Sequence, residues 1–170
     1  YGVSLLNDCK YGHSVRGGTI GLTLLTCGTY PDPNADQGEH IFTYSLMPHE
    51  GDWRTAGVVG QAYLLNNPLI AVRTNGTGPL PEAFSFVRCD DPAIVLETVK
   101  TAEEGGGYIV RAYESFGGRT ECRIRTGFPL AEVAETDLTE RGRQPVGCDG
   151  NSFACTFRPF EIKTFFLRGK

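Results

Sequence analysis

The feature that most constrains the fold is a repeated alternation of short apolar runs with turn-forming clusters. Runs rich in Val, Ile, Phe, Tyr and Thr are separated by clusters of Gly, Pro, Asn and Asp along the whole chain. Such runs are typical of β-strands, and such clusters are typical of turns. The pattern predicts these strands: GVSLL, TIGLTLLT, HIFTYSLM, LIAVR, FSFVR, IVLETVKTA, YIVRAYES, ECRIRT, SFACTF and FEIKTFFL.

The number of strands favours an all-β fold in which two sheets pack face to face. One flat sheet of so many short strands would leave both faces in water, so we expect an antiparallel β-sandwich of two packed sheets. In SFACTF, the side chains of Phe153, Cys155 and Phe157 share one face and are expected to point inward. The glycines of EEGGGY predict a hairpin, because glycine adopts positive φ without strain. RGRQPVGCDGN is expected to be a long exposed loop.

One segment departs from the strand pattern. RTAGVVGQAYLLNN places Ala56, Val59, Ala62 and Tyr63 near one helical face, which predicts one short helix. Asp52 is available as its N-cap, and Pro68 lies beyond its end. The two internal glycines oppose the helix, since each costs about 1 kcal/mol relative to alanine.

Length and charge limit the number of domains and the class of partner. A chain of 170 residues has the size of one domain, and a domain of this size buries roughly 70% of its unfolded surface. Sixteen Lys and Arg against twenty Asp and Glu give a mildly acidic chain, which favours neither nucleic acid nor a membrane surface as partner. No apolar run approaches the roughly 18 residues of a membrane span, so we expect a soluble chain. It begins at Tyr1 without a methionine, so we also expect a fragment of a longer protein.

The six cysteines are predicted to be free thiols. Several lie in strand-like runs, where cysteine behaves as a small buried hydrophobe, and the chain is too large to need disulfides. With no signal peptide in view, unpaired thiols indicate a cytoplasmic parent protein. No C-x-x-C or paired Cys/His spacing indicates a structural zinc site. The positions concerned are Cys9, Cys27, Cys89, Cys122, Cys148 and Cys155.

Polar side chains concentrate in NDCKYGH and, further along the chain, in DPNADQGEH and PHEGDW. Imidazole and carboxylate groups suit zinc, but no fixed spacing brings these ones together, so a metal site is not favoured. The residues that such a site would use are His13, His40 and His49 with Asp36, Glu39 or Asp52.

Other chemistries are only weakly indicated by these residues. Cys9 and His13 could act as a thiol nucleophile and its base, but the C-x-x-x-H spacing between them is only a weak signal for such a pair. A glycosidase needs two carboxylates about 5 to 5.5 Å apart for retention or about 6.5 to 9.5 Å apart for inversion, and the sequence does not select which acids these are. Trp53, the only tryptophan, is available as a sugar-stacking platform, although a lone tryptophan is more often a core residue.

Five longer stretches resemble a known family. They are LLNDCKYGH, PDPNADQGEHIFTYSLMPHEGDW, AYLLNNPL, VRAYESFGGR and FRPFEIKTFFL. In this order they are similar to the C-terminal β-domain of glycoside hydrolase family 38, the α-mannosidases, from Tyr1 to about Leu167. The resemblance implies that residues 1–170 form a single C-terminal β-sandwich domain of a larger retaining, zinc-dependent enzyme that hydrolyses terminal α-D-mannosyl residues.

The resemblance also implies where the catalytic groups lie. In the family the aspartate nucleophile and the zinc ligands belong to upstream segments, and no stretch here matches their motifs. We therefore expect no catalytic residue and no metal ligand in this chain, zinc bound outside it, and no activity from the fragment alone. The implied partners are the N-terminal catalytic α/β domain of the same polypeptide and α-mannosides or oligosaccharides; a homo-oligomer of the parent stays open.

NDCKYGH is then a candidate second wall of a site formed elsewhere in the polypeptide. Its candidate residues are Asp8, Lys10, Tyr11 and His13, which either face substrate or dock the domain. Docking is favoured over sugar contact. The alternative function is a non-catalytic carbohydrate-binding or structural β-sandwich module that does not turn substrate over.

Overall fold

Antiparallel strand pairing dominates the chain. The computed structural model describes residues 1–74, 76 and 78–170, and every strand pair among them is antiparallel. A single short helix is found in the described residues, so the predicted all-β class with one short helix is confirmed. Contacts divide the chain into unit 1, Tyr1–Arg73, and unit 2, Thr74–Lys170. The single domain over residues 1–170 stays a prediction, because such a division does not show whether the units fold independently.

Unit 1 is built from two-stranded ribbons and the helix. β1 and β4 pair along their full length, from Gly2 opposite His49 to Asn7 opposite Tyr44, and β2 forms a hairpin with β3. Neither ribbon is continued by a third strand within the described residues. The elements are β1 (Gly2–Asn7), β2 (His13–Arg16), β3 (Thr19–Leu22), β4 (Tyr44–His49) and α1 (Val58–Asn66).

The helix is where the sequence placed it, but its predicted cap is wrong. Asp52 caps an earlier turn instead, because its Oδ1 accepts the backbone N–H groups of Arg54 and Thr55 at 2.9 and 3.0 Å. The N-cap of α1 is Gly57, with φ 66°, a left-handed conformation that glycine adopts at low cost. Pro68 lies beyond the end of α1, as predicted. No described helix is long and apolar enough to cross a membrane.

Unit 2 contains two larger sheets. The first has five strands in the order β10-β9-β13-β7-β6, and the second has four in the order β11-β12-β8-β5. The strands are β5 (Val87–Cys89), β6 (Ile94–Thr101), β7 (Tyr108–Glu114), β8 (Thr120–Thr126), β9 (Leu130–Thr136), β10 (Gln144–Pro145), β11 (Cys148–Asp149), β12 (Ser152–Phe157) and β13 (Ile162–Gly169).

Side chains from both sheets of unit 2 form one core, which confirms the predicted sandwich. Phe165 of β13 packs against Phe153 and Phe157 of β12, with ring centroids 5.0 and 6.5 Å apart. Phe153 and Phe157 therefore point inward, as their alternation predicted, and all three rings are buried. The apolar side chains buried in this cluster are Ile94, Val110, Ala112, Ile124, Leu130, Val133, Phe153, Phe157, Phe165 and Leu167.

Several strand predictions need correction. LIAVR, residues 69–73, forms no strand, and its Leu69 and Ile70 side chains stay exposed. β9 was not predicted, because the Ala and Glu residues of LAEVAET are poor strand formers, yet it pairs with β13 inside the five-stranded sheet. β2 was also missed. β10 and β11 both fall within the segment that was predicted to be one long loop.

The hairpin predicted from EEGGGY is confirmed between β6 and β7. Gly105 and Gly106 have φ of 73° and 75°, which explains their presence at the turn. Gly107 is constrained for another reason, because a Cβ there would lie 2.4 Å from the carbonyl oxygen of Leu167. The turn therefore needs glycine for its backbone conformation and for the approach of β13.

A buried carboxylate joins two loops of unit 2. Glu114, at the end of β7, is fully buried and accepts the backbone N–H groups of Phe116, Gly117 and Phe160 at 2.8, 2.8 and 3.0 Å. Burial alone raises the pKa of Glu114, but the hydrogen bonds from these backbone amides outweigh it and hold the pKa below its ordinary value. The ionised carboxylate thus holds the loop after β7 to the loop before β13.

All six cysteines lie among the described residues and are free thiols, as predicted. Cys122 of β8 and Cys155 of β12 stand directly opposite each other, with Sγ atoms 3.5 Å apart. Hydrogen bonding with Cys155 raises the pKa of Cys122 to about 12, and hydrogen bonding with Cys122 raises the pKa of Cys89. These three thiols are partly buried and pack against the sandwich core.

Candidate functional site

The loop between β1 and β2, called here the β1–β2 loop (residues 8–12), is anchored by its first residue. The two carboxylate oxygens of Asp8 each lie 3.0 Å from the backbone N–H of Thr43, and the Asp8 N–H donates to the Thr43 carbonyl at 3.2 Å. The hydrogen bond from Thr43 lowers the pKa of Asp8 and keeps it ionised. Asp8 therefore fixes the loop to the chain that enters β4, and its carboxylate is already occupied.

His13 closes the same loop from its far end. Its Nε2 lies 3.2 Å from the amide nitrogen of Asn7, and its Nδ1 lies 3.2 Å from the carbonyl oxygen of Tyr11. Because an amide nitrogen only donates, Nε2 accepts and Nδ1 carries the proton that is donated to Tyr11. Both ring nitrogens are therefore used inside the loop, and neither is directed to a metal ion or a substrate.

Lys10 lies over an aromatic ring. Its Nζ is 4.5 Å from the centroid of the Phe42 ring, which in turn stacks on Tyr44 at 6.5 Å. Its backbone N–H donates to the side chain of Asn7. This cation–π contact orients the side chain while leaving the ammonium without an ion pair among the described residues.

The side chain of Tyr11 projects into solvent, with 91% of its surface exposed. Gly12 follows Tyr11. A Cβ at this position would lie 2.9 Å from the Cβ of Thr23, the residue after β3, so a side chain here would collide with Thr23. The sequence grouped Asp8, Lys10, Tyr11 and His13 correctly in one loop. The structure separates them into Asp8 and His13, which anchor the loop by hydrogen bonds, the half-buried Lys10 over the Phe42 ring, and the exposed Tyr11.

The thiol-nucleophile hypothesis does not fit this geometry. A hydrogen bond with the Asp8 carboxylate raises the pKa of Cys9, whereas a nucleophilic thiol needs a lowered pKa. The imidazole of His13, which would act as base, is engaged with Asn7 and Tyr11 instead. The Cys9 and His13 side chains therefore do not form a catalytic pair.

The histidines also do not fit a zinc site. The Nε2 of His40 lies 2.8 Å from the carbonyl oxygen of Asp36, and the Nε2 of His49 lies 3.0 Å from the hydroxyl of Ser4. Within the ranges that the structure describes, no group of three or more His, Cys, Asp and Glu side chains is placed to hold a metal ion. The three histidines are hydrogen-bonded at three separate places in unit 1, His13 to Asn7 and Tyr11, His40 to Asp36 and His49 to Ser4.

Trp53 is partly covered. The guanidinium of Arg54 lies over its ring at 4.5 Å and also contacts the Asp52 carboxylate at 3.4 Å. A sugar that stacked on that face of the indole would have to displace Arg54. The structure therefore gives no support to Trp53 as an open sugar-stacking platform.

The sequence did not predict an apolar groove in unit 1. The groove has a volume of about 250 Å³ and is lined by β1, β4 and the hairpin strand β3 with the residues after it. Tyr44 and Leu46 remain 55% and 63% exposed beside it. The period-two spacing of Ile20, Leu22 and Leu24 was the available signal, but it does not show which face lacks a partner. The lining residues are Leu5, Ile20, Leu22, Leu24, Tyr44 and Leu46.

Two family models match this chain at its two ends. Residues 1–34 match the model of the glycosyl hydrolases family 38 C-terminal domain. Residues 93–165 match the model of the glycosyl hydrolases family 38 C-terminal beta sandwich domain, which corresponds to most of unit 2.

Proteins with similar sequences carry related names. Alpha-mannosidase 2C1 of Mus musculus is 41% identical over 173 residues, and that of Homo sapiens is 41% identical over 173 residues; each alignment covers 98% of this chain. Alpha-mannosidase G of Dictyostelium discoideum is 38% identical over 97% of the chain. The chain spans only 16% of the length of each of these relatives.

Proposed function

The chain belongs to glycosyl hydrolase family 38, and we propose that it is the C-terminal part of a retaining, zinc-dependent α-mannosidase that hydrolyses terminal α-D-mannosyl residues. The observation that carries the proposal is the 41% identity with a mannosidase over 98% of the chain. The α-mannosides or oligosaccharides that the complete enzyme would take follow from the same likeness. Because the chain spans 16% of that relative, the activity belongs to the longer polypeptide and not to this part of it.

The catalytic groups would lie in an N-terminal α/β domain of the same polypeptide. The described side chains support this placement, because the imidazoles of His13, His40 and His49 are engaged in hydrogen bonds that serve the local fold. The Asp8 carboxylate is likewise occupied by the backbone of Thr43. Zinc, when bound in that other domain, would supply a Lewis acid for the sugar hydroxyls, and this chain would contribute none of its ligands.

The role of unit 1 would be to dock against the rest of the polypeptide through the β1–β2 loop and the apolar groove. Asp8 and His13 anchor the loop, and the exposed Tyr11 and the Lys10 ammonium above the Phe42 ring would face a neighbouring domain. The groove beside β4 exposes apolar side chains whose removal from water would stabilise such contact. We place docking ahead of direct contact with the sugar for this reason. The six free thiols support a cytoplasmic location of the parent protein.

The first experiment compares this chain with the complete polypeptide. The complete polypeptide should release the aryl group from an aryl α-mannoside, should lose activity on chelation, and should recover it with zinc. The isolated 170-residue chain should show no turnover under any of these conditions. Turnover by the isolated chain at a rate approaching that of the complete polypeptide would contradict the proposed placement of the catalytic groups.

The second experiment separates docking from sugar contact in the complete polypeptide. Lys10→Ala and Tyr11→Ala should lower the melting temperature while kcat/KM per folded molecule stays within about twofold, because docking does not touch the reacting sugar. Tyr11→Phe is the matched variant, since it removes only the hydroxyl and should change neither quantity. A drop in kcat/KM of roughly threefold to a hundredfold with an unchanged melting temperature would instead show that the substituted side chain contacts the sugar.

A further inference from the structure

A depression in unit 2 has no part in the function discussed so far. It has a volume of about 300 Å³ and opens beside the four-stranded sheet, between β5, β8 and the turn before β12. Arg88 and Arg125 lie on the sheet face opposite the core, since their neighbours Cys89 and Ile124 pack inward. The lining also includes Phe84, Ser85 and Asn151, and it contains no acidic side chain among the described residues.

The two guanidinium groups are placed together by strand register. Arg88 of β5 stands directly opposite Arg125 of β8, and like charges in directly opposite positions of a sheet are destabilising. Arg88 makes no side-chain hydrogen bond or ion pair with any described residue. Arg125 forms an ion pair with Asp90 at 3.4 Å, in which 39% of the Arg125 side chain and 65% of the Asp90 side chain are exposed. The depression therefore holds one unpaired guanidinium, Arg88, next to Arg125, whose only ion pair among the described residues is the 3.4 Å contact with Asp90, in a chain whose net charge is −4.

The rest of the lining offers hydrogen-bond donors and a fixed apolar wall. The hydroxyl of Ser85 has no hydrogen-bond partner among the described residues, and the Asn151 amide donates one of its two N–H groups to the carbonyl of Thr126. Phe84 packs directly on Gly127, where a Cβ would lie 2.4 Å from the ring, and 47% of the Phe84 side chain stays exposed. Gly127 thus holds an aromatic ring at the edge of the positive depression.

We propose that this depression binds a phosphate monoester, with the phosphate between Arg88 and Arg125 and the organic group against Phe84. A phosphate dianion matches the charge of two guanidinium groups, and each planar guanidinium can donate two parallel hydrogen bonds to phosphate oxygens. Ser85 lies where it adds a further donor. The volume is at the lower end of the roughly 300 to 1,000 Å³ of small-molecule sites. The site uses only residues of unit 2, so binding at this site can be tested without reference to the proposed mannosidase function.

The test is calorimetric titration of the 170-residue chain with phenyl phosphate, inorganic phosphate and benzoate at low ionic strength. Phenyl phosphate should bind saturably and more tightly than inorganic phosphate, because only it reaches Phe84, and benzoate should bind more weakly because it is a monoanion. Arg88→Gln and Arg125→Gln should each weaken phenyl phosphate binding by roughly tenfold to a hundredfold. Phe84→Ala should weaken phenyl phosphate binding but leave inorganic phosphate unchanged.

Arg119→Gln is the matched control, since Arg119 is an exposed arginine of the same unit outside the depression. It should leave the affinity for phenyl phosphate unchanged. Thermal unfolding without ligand should show no loss of stability in Arg88→Gln, because that variant relieves a like-charge pair. The proposal would be overturned by absence of saturable phenyl phosphate binding, by benzoate binding as tightly as phenyl phosphate, or by an equal loss of affinity in Arg119→Gln.

Discussion

The two units of this chain differ in what they bury. Every buried residue in the described part of the chain belongs to unit 2, from Ala93 onward, whereas no residue of Tyr1–Arg73 reaches the same degree of burial. Both units contain apolar strands, so composition does not explain the contrast. In unit 2 two sheets pack face to face. Unit 1, in contrast, has only two-stranded ribbons besides its helix, and such ribbons are marginally stable in water by themselves.

The contrast shows that a strand is buried by the sheet that faces it and not by its own hydrophobicity. Leu46 in β4 and Leu167 in β13 are the same residue type in antiparallel strands, yet Leu46 is 63% exposed and Leu167 is fully buried. β13 lies between two strands and under a second sheet, whereas β4 has one neighbour. Unit 1 therefore has the surface expected of a segment that is completed by other parts of a longer polypeptide.

The largest expected effect comes from removing a core ring. Phe165→Ala should lower the free energy of unfolding by about 3–5 kcal/mol, because it removes buried area and leaves a cavity beside Phe153 and Phe157. Leu46→Ala in unit 1 is the matched truncation and should change it by no more than about 0.5 kcal/mol. Urea unfolding of both variants measures this, and equal losses would contradict the contrast in burial.

The next effect comes from the buried carboxylate. Glu114→Gln places an NH₂ group among three backbone donors and should lower the free energy of unfolding by about 2–4 kcal/mol at neutral pH. Because the folded pKa of Glu114 lies below its ordinary value, its stabilisation is complete above the unfolded pKa of about 4.5 and is lost as the pH falls through the folded pKa. The Glu114→Gln variant should therefore lose less stability than the unmodified chain on acidification.

Urea unfolding from neutral to acidic pH measures the difference between the two proteins. Glu104→Gln, an exposed acid in the β6–β7 hairpin, is the control and should follow the unmodified chain. A constant difference between Glu114→Gln and the unmodified chain at every pH would show that Glu114 is not ionised in the folded protein.

The fold was predictable from sequence where apolar and turn-forming residues alternate strongly, as in β7, β12 and the hairpin at Gly105. It was not predictable where tertiary pairing overrides local preference. β9 has alanine and glutamate at strand positions and is a strand because β13 supplies its hydrogen-bonding partner, whereas the apolar segment at residues 69–73 has no such partner.

The candidate site shows the same limit. The sequence grouped Asp8 with Lys10, Tyr11 and His13 because they are neighbours in the chain, but the contact that fixes Asp8 is with Thr43, 35 residues away. The pairing of Arg88 with Arg125 depends in the same way on strand register, which a single sequence does not specify.

A glycine in each unit should respond in opposite directions to the same substitution. Gly107→Ala should destabilise the chain by about 1–3 kcal/mol, because its Cβ would collide with the carbonyl oxygen of Leu167 in β13. Gly18→Ala, in the β2–β3 turn, has no atom within 4 Å of the new Cβ and no positive φ, so it should stabilise by about 0.4–1 kcal/mol. Thermal unfolding of the two variants measures whether each substitution lowers or raises the stability of the chain. Stabilisation by Gly107→Ala would show that the hairpin is not held against β13.

The smallest expected effect tests the contact that orients Lys10 in unit 1. Lys10→Met keeps the length and the apolar stem of the side chain but removes the charge that lies 4.5 Å from the Phe42 ring, so it should lower the local stability of the β1–β4 ribbon by about 0.5–1 kcal/mol. Arg16→Met is the control, because Arg16 is exposed at the end of β2 and makes no cation–π contact with a described ring. The two substitutions remove the same charge from the same unit, so the difference between them reports the ring contact and not the change in net charge. Amide hydrogen exchange along β1 and β4 measures that difference locally, where global unfolding of the unit 2 core does not mask it. Equal exchange rates in the two variants would mean that Lys10 is free to leave Phe42, and the β1–β2 loop would then keep only its Asp8 and His13 anchors.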